Sequence, residues 1–592
     1  MITLPYGIAD FRRIRQEGMA YVDRTGYIPR IERLGSTLVF LRPRRFGKSL
    51  WLQTLANYYD LRRAEEFAGL FGGLAIGREP TPLANRFFVL EWNFSVVDPA
   101  GSVEQIAESL REHVGSRAKT FAKRYRDRLS APVETEDSPQ AILESLLRGI
   151  EDTPHRIYLL IDEYDNFVNE VMARDVDTYR ALVRTDGPFK LLFKAVKNAT
   201  EGQGLERVFI TGVSPVALND LTSGFNIAKN VSLAPGLAGL CGFHESEIRG
   251  LLEKISHERD LTPEAVEDAV ATMRTWYNGY CFTETASEGD ELVYNPTNVL
   301  YFLDHLAEQG TAPEQLYDEN LRTDRGKLAF LAHTAAGAGV IEELTEGDGE
   351  ITIPRLETSF SLENLLTQIQ HDRSSIASLL YFMGLLTLTD VPGRLRIPNL
   401  VVKKLFLDRL LEIYLPTPGD SSTAREIALR FFQSGDLTPL LAFFEEKLLP
   451  ALSNRDRGGL HELAVKALFL SILFDDTRYT VSSELEVERS YADLCLLVRP
   501  EMRRHGYFDF LFELKLVRRK DLGRSGQELR EMDAEALRQL PPVAQAFAEA
   551  REQARRYAAA LRRQRGGELT LRSFAVVAVD LERVLGEEVE AP

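Results

Sequence analysis

Residues 36–59 constrain the fold of this chain more than any other stretch. The apolar run STLVFL (36–41) is followed by the polar, turn-like RPRRFGKS (42–49) and then by LWLQTLANYYD, whose apolar residues recur at helical spacing. Strand, loop ending in Gly-Lys-Ser, and helix is the context in which backbone N–H groups and a helix N-terminus cradle phosphates. Here Arg45, Gly47 and Lys48 would line the cradle, with Lys48 as a point charge on phosphate and Ser49 on Mg²⁺. Arg42 stands where the first glycine of such a loop is expected, and three arginines crowd the segment.

A second motif lies about 110 residues further on. HRIYLLIDEYD (155–165) is a buried-strand pattern ending in Asp162 and Glu163. In a nucleotide site Asp162 would complete the Mg²⁺ shell and Glu163 would orient an attacking water. RFFVLEWNF (86–94) and ERVFITGVSP (206–215) supply two more strands, and Thr211 or Ser214 at the end of the latter is placed to sense a γ-phosphate. Strands alternating with helical stretches predict a parallel sheet with helices on both faces, an ATPase-like P-loop domain over 1–243.

The texture then changes. FHESEIRGLLEKI and PEAVEDAVATMRTWY are helical, and 377–414 reads as helix, hairpin, helix, a helical and winged-helix-like lid module over 244–415. LPTPGD (415–420), with two prolines and a glycine, is a linker candidate. From 416 to 592 an amphipathic helix (461–474), three strands, a long Arg- and Ala-rich helix (534–564) and a closing strand (571–580) predict a separate α/β domain.

That last segment carries the second set of chemical groups. Asp493 lies on YADLCLLV, and Glu513 and Lys515 follow on FLFELKLV. Their i, i+2 spacing puts Glu513 and Lys515 on one face of a strand, inside an otherwise apolar run where two charges are costly. Two acids binding Mg²⁺ (or Mn²⁺) with an amine beside them is the donor set of a metal-dependent phosphodiesterase. Glu462 on the preceding helix would add an outer carboxylate. Gln553 and Tyr557, at i and i+4, share a helix face that would bracket the site. An ExK on a strand is also the pattern of a surface ion pair. From Arg489 to Arg524 there are nine Lys/Arg against five Asp/Glu, a basic flank suited to tracking phosphates.

Charge and cysteine content narrow the classes. The chain has 71 basic and 88 acidic residues, a net charge of −17, which argues against coating nucleic acid with the whole surface but leaves room for a local groove. Three distant cysteines, Cys241, Cys281 and Cys495, make neither a disulfide framework nor a zinc site. No signal-peptide pattern and no long apolar run is present, so a cytoplasmic protein without membrane contact is expected.

With these motifs placed, the chain resembles a bacterial and archaeal family with an AAA-ATPase-like N-terminal domain and a C-terminal PD-(D/E)XK nuclease domain. The resemblance rests on YVDRT (21–25), RPRRFGKS, LLIDEYD, FITGVSP, WYNGYCF with VYNPTNVL (276–300), RIPNLVV, and the C-terminal Ala492-Asp493, Glu513-Leu514-Lys515 and QARRY (553–557). It implies a restriction-endonuclease-like C-terminal α/β fold and Mg²⁺-dependent cleavage of nucleic acid, DNA favoured over RNA, regulated by ATP. A role in defence against phage or other mobile DNA follows only by analogy. Two other readings remain open: a nucleotide-dependent switch that binds nucleic acid without cutting it, and an ATP-driven remodeller. AAA-like relatives suggest a homo-oligomer. The aromatics of YNGY and YNPTN are expected to pack the module rather than to stack on bases.

Overall fold

The computed structural model describes residues 2–184, 186–215, 226–284, 292–316, 335–346, 349–358, 372–415, 417–455, 462–482, 485–487, 490–565 and 569–590; at some helix and strand ends, Glu462 included, only the backbone is described. The chain divides into two compact units, one comprising 1–313, 317–340 and 351–400, the other 314–316, 341–350 and 401–592.

The first unit is built on five strands: β1 (Thr37–Leu41), β2 (Phe87–Asn93), β3 (Arg156–Asp162), β4 (Leu205–Gly212) and β5 (Lys229–Asn230), in the order β2-β3-β4-β1-β5. Every pairing is parallel. β1 is buried at all five positions and β3 at every position after Arg156, so both faces of the sheet are covered. That is why these strands read as continuous apolar runs instead of alternating ones. The helix Val103–Arg124 packs on β2. It begins at a capping box formed by Ser102 and Gln105, and buries Ile106, Leu110, Val114, Ala118 and Phe121 along one stripe.

Further along, β6 (Glu350–Thr352), β7 (Thr387–Leu388) and β8 (Arg394–Arg396) form a small sheet in the order β6-β8-β7. The helices Arg373–Phe382 and Leu400–Tyr414 flank its β7–β8 hairpin, the helix, hairpin, helix pattern read from 377–414.

LPTPGD does not act as a linker. A helix, Pro418–Ser434, begins inside it with Pro at its first position, where a missing N–H costs nothing. Leu415 and Phe431 share one core, so the described residues on either side of the segment are packed together.

The second unit adds β9 (Tyr479–Ser482), the backbone pair β10 (Leu485–Val487) and β11 (Ser490–Ala492), and β12 (Leu494–Val498), β13 (Asp509–Val517), β14 (Leu571–Val579) and β15 (Arg583–Glu588). Its main sheet has the order β15-β14-β13-β12-β9, antiparallel except for β13 beside β14. The parallel pair needs a crossover, and the helix Pro541–Arg565 provides it. Strand alternation splits the packing. Phe510, Phe512 and Leu514 face the core shared with the helix Glu462–Leu473, whereas Leu511 and Val517 face clusters containing residues of Pro541–Arg565. β15, a short hairpin partner of β14 with mixed polarity, has no clear signal in the sequence. Among the described residues no helix is long and apolar enough to cross a membrane.

Candidate functional sites

The register of the first sheet brings the two N-terminal motifs together. β4 lies between β1 and β3, pairing Phe40 with Thr211 and Ile161 with Ile210. Asp162, one residue beyond Ile161, therefore sits beside Thr211. The Thr211 hydroxyl donates to Asp162 Oδ1 at 2.7 Å, and the Ser49 hydroxyl donates to Oδ2 at 2.6 Å. Both carboxylate oxygens are thus engaged, one by Ser49, expected to share a nucleotide's metal, and the other by Thr211, expected to sense its γ-phosphate. Glu163 follows with a left-handed φ of 48°, and burial, with Asp162 next to it, raises its pKa.

The loop itself is shaped by two left-handed residues, Arg45 (φ 66°) and Gly47 (φ 91°), the latter opening the helix Lys48–Tyr59. Gly47 satisfies this at no steric cost; Arg45 does not, and its carbonyl is held by the Thr297 hydroxyl at 3.1 Å. The buried Lys48 ammonium donates to the carbonyls of Arg42 (2.9 Å) and Pro43 (2.8 Å), and its pKa is lowered by burial. Arg44 Nη2 donates to Asn166 Oδ1 at 2.7 Å.

Arg42 has a different task from the glycine it replaces. Its guanidinium is buried and donates to the carbonyls of Leu41 (2.9 Å), Ser232 (2.6 Å) and Leu237 (3.0 Å), lying 4.3 and 4.2 Å from the ring centroids of Phe40 and Phe282. Burial lowers its pKa to about 10. Arg42 therefore staples β1 to the chain after β5 and points away from the cradle. Restoring the consensus glycine, Arg42→Gly, is expected to cost about 3–5 kcal/mol of stability by leaving three carbonyls without their donor and a void between two rings. Thermal unfolding measures this, and unchanged melting would show that the staple is dispensable.

Sequence reasoning missed Asp165. It is buried, and its carboxylate accepts from the backbone N–H of Val213 (3.1 Å) and Ser214 (2.8 Å), while the Tyr164 hydroxyl donates to Ser214 O. Asp165 thus ties the end of β3 to the end of β4. A Cβ on Gly212 would lie 2.4 Å from Tyr164 Cδ1, which explains the glycine of FITG. The second Asp of DEYD was the available signal.

Beside the loop opens a cavity of about 360 Å³ lined by Gly7, Ile8, Tyr21, Val22, Arg24, Lys48, Ser49, Glu163, Phe243, Pro296, Thr297 and Leu300, among others. Asn295 caps the helix Pro296–Gln309 that forms part of this wall. Arg24, from YVDRT, donates to Glu247 Oε2 at 2.7 Å and to Gly242 O at 2.6 Å. The aromatics of YNGY pack. Tyr277 and Tyr280 are buried, Phe46 meets the Tyr280 ring edge-on at 4.8 Å, and a Cβ on Gly279 would strike Pro398 O at 2.0 Å.

In the second unit, Leu494 pairs with Phe512, so Asp493 at the head of β12 lies beside Glu513. Their contacts interlock: Leu514 N–H donates to Asp493 Oδ2 at 2.9 Å, and Asp493 N–H points to Glu513 Oε1 at 3.4 Å. Glu513 is 2% exposed, and its pKa is pushed up to about 8 by burial first and by Asp493 second, with Lys515 opposing. Two carboxylates in mutual repulsion are hard-oxygen groups whose charge a divalent cation would relieve. Among the described residues, no group of three or more His, Cys, Asp or Glu gathers to hold a metal. The Glu462 side chain lies outside the described residues.

Lys515 shares the Glu513 face of β13, with partial exposure. Gln553 lies on the helix Pro541–Arg565, one residue before Ala554, which packs with Val517 and Ala575 near this face; its Oε1 is buried with no hydrogen-bond partner. Tyr557 is buried with Cys495 and Leu511, and its hydroxyl accepts from Arg556 Nη2 at 3.0 Å. The basic flank is smaller than the count of charges suggests. Arg499 is buried on backbone carbonyls and Arg503 pairs with buried Asp509, leaving Arg504, Arg518, Arg519, Lys520 and Arg524 as its exposed members.

Comparison with known proteins agrees with the N-terminal fold. Residues 5–222 match the AAA-ATPase-like family model, described as a predicted AAA-ATPase. The chain is 28% identical over 565 residues, 89% of its own length and 92% of the relative's, to an uncharacterised protein of the vnfD 5′ region of Azotobacter chroococcum mcd 1. Similar solved structures include the Walker-type ATPase of Pyrococcus abyssi (TM-score 0.39, 13% identity, 65% of this chain and 94% of that one). Aeropyrum pernix ORC2 in its ADPNP–ADP complexes has a TM-score of 0.33 at 12% identity, covering 69% and 99%. Aeropyrum pernix ORC1 in complex with DNA has a TM-score of 0.26 at 12% identity, covering 69% and 93%. Over residues 5–222 the chain is thus similar to the AAA-ATPase-like family, in the part that carries the parallel α/β sheet.

Proposed function

We propose that this protein is a nucleotide-regulated, metal-dependent nuclease. ATP would bind at the N-terminal loop, with phosphate oxygens replacing the two carbonyls as acceptors for Lys48, and with Ser49 and Asp162 holding Mg²⁺. Glu163 would orient a water, and the apolar wall beside the loop suits a base and ribose. Thr211, bonded to Asp162, would register the γ-phosphate.

The observation that carries the nuclease reading is the interlocked pair Asp493 and Glu513, with Lys515 on the same strand face. A divalent cation held there would polarise a phosphodiester and lower the pKa of an attacking water. Lys515 would orient that water or stabilise the charge that develops on phosphorus oxygens. One P–O bond would form to the water oxygen as the water gives up a proton, and the P–O bond to the departing ribose oxygen would break, that oxygen taking up a proton. Gln553 supplies a buried amide oxygen on the covering helix. Exposed Arg518, Lys520 and Arg524 suit phosphate tracking, and DNA is the favoured substrate.

The test is incubation of the full-length chain with single- and double-stranded DNA and RNA, with and without ATP, in Mg²⁺ or in EDTA. Metal-dependent cleavage that Lys515→Ala removes is the expected result; equal cleavage by both proteins overturns the site. A donor set of only two described acids favours one second reading, a nucleotide-dependent switch that retains DNA in a salt-sensitive way and never cuts it. Retention without cleavage under any metal would select it.

A further inference from the structure

The Asp493–Glu513 site includes a fourth charged group that the spacing of the motifs does not reveal. The helix Glu462–Leu473 has the sequence ELAVKALFLSIL and packs its apolar side chains, from Ala464 to Leu473, into the core under β12 and β13. Lys466 is the lone described cation in this helix. Its ammonium lies 3.6 Å from Asp493 Oδ1, with its side chain 12% exposed and that of Asp493 20% exposed. An ammonium so far removed from water needs an acid within reach, and Asp493 supplies one.

The two oxygens of Asp493 are therefore used differently. Oδ2 accepts the Leu514 N–H, a backbone contact that fixes the carboxylate on β13, whereas Oδ1 faces Lys466. We propose that Lys466 is the resting counter-ion of Asp493: it yields Oδ1 to a divalent cation, and the released ammonium takes a phosphate oxygen of the nucleic acid. This rests on the nuclease reading for its second half only. Two cations cannot share one carboxylate oxygen without repulsion, so cation entry must displace Lys466. Its four-carbon stem permits the swing, and the phosphodiester brings the negative charge that makes the new position favourable.

The two halves predict opposite effects of one substitution, which a merely structural lysine would not give. In the full-length chain, Lys466→Met keeps the stem and removes the charge. Mn²⁺ alone, titrated by the loss of its free-ion paramagnetic resonance signal, is expected to bind about fivefold tighter to the variant. DNA cleavage at saturating metal is expected to fall about tenfold or more, and Lys466→Arg to restore most of it. Equal or weaker Mn²⁺ binding by Lys466→Met overturns the counter-ion role, and undiminished cleavage overturns the phosphate role. If the native chain binds Mn²⁺ but cuts nothing, the nuclease reading falls, while the counter-ion role is still decided by the Mn²⁺ titration. If it binds no Mn²⁺, both fall. Thermal unfolding without metal checks the fold of each variant, and Lys466→Gln replaces Lys466→Met in both measurements should the latter not fold.

Discussion

Lys48→Ala is expected to weaken ATP binding by about 100- to 1,000-fold. The ammonium is buried and already bonded to two loop carbonyls, so its stem and head are positioned before any phosphate arrives. Removing it deletes charge-assisted hydrogen bonds in a site sheltered from water. The measurement is the rise in melting temperature on adding Mg²⁺ and ATP: ligand at a hundredfold excess over its dissociation constant adds about 2.7 kcal/mol. The native chain should show that rise and the variant should not; an equal rise in both would remove the loop from the nucleotide site. Glu163→Gln separates binding from turnover. It should leave the melting shift in place and slow any hydrolysis about 100-fold or more, because in the proposed site its carboxylate would orient water without being needed to hold the nucleotide.

On the proposed nuclease reading, Glu513→Gln should abolish metal-dependent cleavage, with a loss of about 1,000-fold or more, since it removes one of the two described acids of the proposed donor set. Its effect on stability should run the other way, and the sign follows from the raised pKa. The unfolded glutamate titrates at ~4.3, and the folded one at about 8. The metal-free fold therefore has its full share of stability from this group below pH ~4 and loses it progressively as pH rises toward 8. The amide that replaces the carboxyl cannot ionise. Without metal, the variant should melt higher than the native chain at pH 8, with the gap closing toward pH 5. Adding Mg²⁺ at pH 8 should stabilise the native chain and leave the variant unmoved. A variant that cuts as fast as the native chain, or a melting difference independent of pH, would separate Glu513 from the metal.

Much of the fold was legible because its signals are local. The buried parallel strands appear as apolar runs, nearly unbroken at β1 and β3, and Gly47 is demanded by a left-handed turn into a helix. What could mislead was composition read without partners. LPTPGD resembles a linker until Pro418 is seen to start a helix, and the basic stretch from Arg489 shrinks once Arg499 and Arg503 are found on backbone carbonyls and Asp509. Arg42 looks like a defect in a phosphate loop because a sequence does not show that its guanidinium leaves the loop altogether.

The chain's sequence alone singled out the charged candidates: Lys48, Asp162 and Asp493 by motif and strand position, and Glu513 and Lys515 because burial of a charge in an apolar run is costly and has to be compensated. Only the tertiary structure decided which of them meet. Strand order set β4 between β1 and β3, joining Ser49 and Thr211 on Asp162 across more than a hundred residues, and antiparallel register set Asp493 on Glu513. The tasks of Asp165, Thr297 and Lys466 became visible at that level alone, although the second Asp of DEYD marks Asp165 in the sequence. Each acts through a partner distant in sequence, and hydrogen bonds and ion pairs depend on separation in space, which residue spacing along a chain does not encode.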